Sequence, residues 1–110
     1  MAETFKVLGQ SNPSAATLTD AYTVPVSKAA VISSVMVANR SATATAFRIT
    51  VSPAGAADAN QHAIYYDIPI EGNNTFAGTL GITLATTDVL RVYATLATLS
   101  FNIFGTEVDA

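Results

Sequence analysis

The stretch Phe47-Arg48-Ile49-Thr50-Val51 sets Phe47, Ile49 and Val51 on one side of an extended chain, and Arg48, Thr50 and then Ser52 on the other. A period of two marks a half-buried β-strand, because successive side chains point to opposite faces of the pleat. Pro53 ends the run, and Ala54–Asn60 reads as a loop. The next segment, Ala63–Ile70, alternates again, with Ile64, Tyr66, Ile68 and Ile70 expected on one side. Pro69 cannot donate to a ladder, so this strand is expected at a sheet edge or with a break there.

The same pattern extends in both directions. Val31–Val37 is rich in β-branched residues and fits a strand buried on both faces. Glu71-Gly72-Asn73-Asn74 is the strongest turn signal, followed by short strands Thr75–Leu80 and Ile82–Leu84 about Gly81. Thr86-Thr87-Asp88 reads as a turn before Val89–Thr95, in which Leu90, Val92 and Ala94 oppose Val89, Arg91 and Tyr93. Leu99, Phe101 and Ile103 alternate with Ser100, Asn102 and Phe104 up to Gly105. Tyr22-Thr23-Val24 is a short strand candidate stopped by Pro25. Seven or eight short strands with turns between them, and no sustained helical period, predict an all-β chain. Its fold class is a single antiparallel β-sandwich, Ig-like or jelly-roll-like, over residues 1–110. Residues 1–20 are the least sheet-like; Met1–Gln10 suits either an arm extended onto a neighbour or a first strand.

Composition narrows the function classes. The 110 residues carry 12% charged side chains, a net charge of −3 and no cysteine. An average soluble domain has about 25% charged residues. Ala and Thr fill much of the difference, leaving a neutral surface that is easily desolvated. That surface suits either coverage by other subunits or a bland solvated sheet. Too few clustered cations are present to neutralise phosphates, so no nucleic-acid partner is expected. The absence of Cys removes disulfides, thiolate metal sites and thiol nucleophiles. The most apolar run, Ala29–Ala38, is far short of the ~20 residues of a membrane helix. Met1–Gln10 holds no apolar signal region, so neither a membrane nor a secretory route is expected.

Chemical motifs are sparse, and no catalytic residue, cofactor or metal is expected. His62 is the single histidine. Asp58-Ala59-Asn60-Gln61-His62 offers oxygen donors for a hard cation but lacks the glycine and glutamate of a calcium loop, and reads as a polar surface loop. No Gly-x-Ser-x-Gly elbow or phosphate-cradling glycine motif occurs. Spacing singles out no carboxylate pair among Asp67, Glu71 and Asp88, and Asp67 is expected to pair with Arg48 or Arg91. Of Tyr65 and Tyr66, one must enter the core and the other point outward. An outward tyrosine near Tyr93 could stack a sugar or anchor a partner. With no Trp in the chain, an interface is favoured.

Several segments, in order, carry a resemblance. They are Lys6–Gln10, Val37–Ser41, Thr45–Ile49, Ala54–Asp58, Tyr65–Ile70, Asn74–Phe76, Gly81–Leu84, Asp88–Ala94 and Leu99–Gly105. Together they resemble small tailed-bacteriophage virion proteins: capsid decoration (cement) proteins, or small tail and neck components. The resemblance implies a non-enzymatic structural protein made in the bacterial host cytoplasm and ending in the virion. Its partners would be copies of itself, with a homotrimer favoured, and the major capsid protein or other virion proteins. As a decoration protein it would bind and stabilise the assembled head shell. The alternative is a tail or neck component, including a module that binds host glycan. Phe5, Tyr65, Tyr93, Arg48 and Arg91 are the candidates for an oligomer or lattice contact. Arg40 joins Arg48 and Arg91 as a cation suited to intersubunit or structural ion pairs.

Overall fold

The computed structural model describes residues 3–110. Eight strands form: β1 Glu3–Ser11, β2 Thr19–Thr23, β3 Lys28–Asn39, β4 Thr45–Ser52, β5 Ala63–Ile70, β6 Thr75–Leu84, β7 Val89–Ala94 and β8 Leu99–Asp109. Short 3-10 turns at Pro53–Gly55 and Asn60–His62 interrupt the β4–β5 connection. Two four-stranded antiparallel sheets result, in the orders β1-β8-β3-β6 and β2-β7-β4-β5. Every connection except β4–β5 passes from one sheet to the other. That order is the jelly roll, the second of the two sandwich topologies that the strand pattern allowed. Among the described residues, no helix is long and apolar enough to cross a membrane.

The core lies between the sheets and follows the two-residue period. Phe47 and Ile49 of β4, Leu90 and Val92 of β7, Ile32, Val35 and Val37 of β3, and Leu99, Phe101 and Ile103 of β8 are all fully buried. Phe47 sits at the centre of an aromatic cluster, 5.1 Å from the ring of Phe76 and 6.0 Å edge-on from that of Phe101. Such tilted pairs are favourable because ring edges meet ring faces of opposite partial charge. Gly105 permits the central β8–β3 pair to close: a Cβ there would stand 2.1 Å from the carbonyl oxygen of Val31.

One open reading is decided and two expectations change. First, of the arm and the first strand that the N-terminal segment suits, residues 3–11 form a strand, paired along β8 from Glu3↔Val108 to Ser11↔Phe101, and Thr19–Thr23 pairs with β7. The alternation of β1 is faint because the register shifts between Val7 and Gly9, and because Lys6 reaches inward to Glu107 where an apolar residue would be expected. Met1 and Ala2, the start of the proposed arm, lie outside the described residues. Second, β3 buries one face only; Val31 and Met36 are exposed on the other. Third, Thr75–Leu84 is one strand through Gly81, with a register shift against β3 at Leu80–Gly81 in place of the expected break.

Among the described residues, one charged side chain is buried. Glu107 is buried, accepts a hydrogen bond from the Tyr22 hydroxyl at 2.6 Å, and pairs with Lys6 at 3.0 Å. The Tyr22 hydrogen bond, helped by Lys6, holds the Glu107 carboxyl below its ordinary value of 4.5 in spite of burial. Burial first, then Glu107, pushes the Tyr22 phenol above its ordinary 10.0. A lowered carboxylate stabilises the fold above its ordinary value and loses that contribution as pH falls through the lower folded value. A raised phenol stabilises the fold below 10.0 and loses its contribution as pH rises beyond it. Tyr22→Phe is therefore expected to destabilise the fold by about 1–3 kcal/mol at pH 7 in urea unfolding. The deficit should shrink as acidification protonates Glu107; a deficit that stays constant down to the acid unfolding limit would contradict this linkage.

Candidate functional site

The outer face of the β2-β7-β4-β5 sheet carries the most developed arrangement of polar side chains. Arg48 and Thr50 point to it from β4, as their alternation requires, and Tyr93 joins them from β7 opposite Arg48. The β5 contribution depends on a bulge. Phe47 pairs with Ile68 and Ile49 with Tyr65, so Tyr66 and Asp67 together face the single residue Arg48. Asp67 takes the left-handed conformation, at φ 51°, that this extra residue demands. Aspartate tolerates that region better than most side chains. Pro69 lies on β5, an edge strand, as expected.

The bulge turns both of its residues onto Arg48. Asp67 Oδ1 accepts from Arg48 Nε at 2.6 Å, and Oδ2 from Nη2 at 3.4 Å. The guanidinium carbon lies 4.2 Å from the Tyr66 ring centroid and 4.4 Å from that of Tyr93. Both distances fall within cation–π range. The hydrogen bond to Asp67 also raises the Arg48 pKa, so the cation is permanent. Around this stack lies a groove of about 600 Å³, bordered by Ala16 and Leu18 on one side and by Asp58, Ala59 and Asn60 on the other.

The bulge reverses the expected roles of the two tyrosines. Tyr65 turns inward and packs edge-on against Phe76 at 5.4 Å, which removes it from any outer contact surface. Tyr66 points outward and is 61% exposed. Strict alternation from Ile70 back to Ile64 put Tyr66 inside; the inserted residue shifts the phase by one. The neighbouring Tyr-Tyr-Asp sequence ahead of an edge-strand proline was the available signal for an irregularity, although it did not mark its position.

The other candidates fall elsewhere. Arg91 is spent within the chain: it bonds Asp20 at 2.7 Å, Ser52 Oγ at 2.9 Å and the Ala56 carbonyl at 2.8 Å, tying β2 and the 53–62 loop to the sheet. Arg40 ties two loops through Asn12 and the Ala97 carbonyl. Asp88 accepts from the backbone N–H groups of Ala54 and Ala85, a structural role. His62 Nδ1 is 3.4 Å from Ser52 Oγ, but Ser52 is fully buried and serves this loop. No group of three or more His, Asp or Glu side chains converges as a metal site among the described residues.

Phe5 lies on the opposite side of the molecule. The outer face of the β1-β8-β3-β6 sheet holds Phe5, 79% exposed, with Val7, Val31 and Met36 also exposed. By register, Phe5 stands beside Thr106 and Val7 beside Phe104, so the middle of this face carries no charged side chain.

No protein-family model matches the chain, and no curated protein matches it significantly.

The bulge makes a specific demand. Asp67→Gly and Asp67→Ala both remove the Arg48 ion pair, but alanine also pays the left-handed backbone strain. Asp67→Ala should therefore be less stable than Asp67→Gly by about 1–2 kcal/mol in urea unfolding. Equal stability of the two variants would place Asp67 in an ordinary extended conformation.

Proposed function

We propose that the chain is a non-enzymatic structural protein of a bacteriophage virion: a capsid decoration protein that assembles as a homotrimer and binds the assembled head shell. The observation that carries this proposal is the group of exposed apolar side chains, Phe5, Val7, Val31 and Met36, on the outer face of the β1-β8-β3-β6 sheet, whose middle carries no charge. Isolated exposed apolar residues need no explanation, but Phe5, Val7, Val31 and Met36 share one sheet face, and such patches mark contact surfaces. The sequence of β3 is that of a strand buried on both sides, and a single copy buries only one. The flanking edge adds to this. β1 is nine residues long, is an outer strand of its sheet, and has only Glu3 and Lys6 as charged residues. Natural proteins ordinarily protect such edges with charge, proline or cover.

The mechanism is thermodynamic. A protein that binds the assembled lattice, but not its dissociated subunits, stabilises the lattice by mass action. The low charge of the chain suits this, because many copies can lie side by side on a shell with little mutual repulsion.

Light scattering on a sizing column is expected to give three times the 11.4 kDa chain mass. Co-sedimentation should show binding to undecorated shells and not to dissociated capsid subunits. Phe5→Ser combined with Met36→Ser should weaken shell binding at least tenfold without loss of fold. A monomer that binds shells no better than it binds free subunits would contradict the proposal. Binding to tail or neck assemblies alone would move the protein to those parts of the virion.

A further inference from the structure

We propose that the groove over Arg48 is a binding site for a neutral saccharide. The site lies on the sheet opposite the apolar face, so this inference does not depend on which virion component the apolar face contacts.

Three observations point to this class of ligand. The first is an orphaned hydroxyl. Thr45, Thr50 and Thr98 have buried side-chain oxygens without a hydrogen-bond partner, and of these Thr50 lines the groove. Thr50 is only 5% exposed, and it projects from β4 on the same side as Arg48. Buried hydroxyls are nearly always paired in a complete structure, so a group from outside the chain is the natural partner here.

The second is the charge balance. Arg48 alone would favour an anionic ligand, but Asp67 already occupies its Nε and Nη2 edge, and the two tyrosine rings stack on it. Nη1, with two N–H groups, can still donate directed hydrogen bonds to a neutral hydroxyl. Asp58, on the rim, adds a second carboxylate. One cation against two carboxylates repels phosphates, uronates and sialates.

The third is the mixture of surfaces. Asn60 provides both a donor and an acceptor, Asp58 provides acceptors, and the tyrosine hydroxyls do either. Tyr66 gives one face to Arg48 and leaves much of its ring exposed. Hydroxyls that donate and accept at once, on a ring with apolar C–H faces, match such a lining. The groove volume of about 600 Å³ lies within the range of small-molecule sites, roughly 300–1,000 Å³. The Arg48 stack, fixed from three sides, presents this surface already formed, which lowers the entropic cost of binding.

The test is heteronuclear NMR titration of the full chain with a panel of neutral gluco-, galacto- and manno-oligosaccharides, alongside uronic-acid and sialylated counterparts. At least one neutral member is expected to shift the amides of β4, β5 and the 58–60 segment, and the acidic counterparts are expected to bind at least tenfold more weakly. Thr50→Val is the decisive variant. It removes an unpaired hydroxyl while keeping the shape, so thermal stability should hold or rise while saccharide affinity falls at least tenfold. Tyr66→Ala should lower the affinity comparably. The proposal is overturned if no neutral member shifts these amides, if acidic members bind as well or better, or if Thr50→Val binds as tightly as the unaltered chain.

Discussion

The strands turn one face to the shared core, and the residue inserted at Tyr66–Asp67 in an edge strand decides what gathers on Arg48 across the opposite face. The bulge at Tyr66–Asp67 brings two side chains onto Arg48 where a regular ladder would bring one. One of them neutralises the cation, and the other completes an aromatic bracket with Tyr93. The same insertion sends Tyr65 inward to Phe47 and Phe76. The core and the outer groove therefore both depend on this phase shift. It is sustained by an aspartate in a backbone region that few side chains accept.

Most of the fold was legible in the sequence, because period-two alternation reports burial directly. Phe47-Arg48-Ile49-Thr50-Val51 and Leu99–Phe104 have the faces that their alternation assigns. The Glu71–Asn74 turn falls between β5 and β6. What alternation could not report is the phase across a bulge. Ile64, Tyr66, Ile68 and Ile70 look like one face, yet only the last two of them turn toward the core. The first strand was obscured for a different reason. Its inward positions near the rim are polar, and Lys6 is satisfied by Glu107, a partner 101 positions along the chain. Strand order lies deeper still, since it rests on pairings such as Glu3↔Val108 that join the two ends of the sequence.

The candidate site was legible only in part. Arg48 and Tyr93 were identifiable from strand phase, and Asp67 as an ion-pair partner from its charge. The groove itself requires the 53–62 loop and the 12–18 segment to stand on either side of the sheet. Arg91 organises the first of these by bonding the Ala56 carbonyl and Ser52, and Ala16 docks the second by donating its N–H to the Ala94 carbonyl. Neither contact has a local sequence signal. The two outer surfaces thus differ in chemistry: one sets exposed apolar side chains among neutral polar ones, suited to a broad protein contact, and the other holds a polar groove, suited to a small hydroxylated ligand.

The central claim is that the bulge fixes Arg48 between Tyr66 and Tyr93. The most direct test is the NMR signature of the Arg48 side chain in the unaltered protein. Ring currents from two bracketing tyrosines should shift its side-chain protons well upfield, with cross-relaxation to both rings and slow exchange of the Nε proton held by Asp67. Arginine side-chain shifts at their free-solution values, with no contact to either ring, would contradict the account.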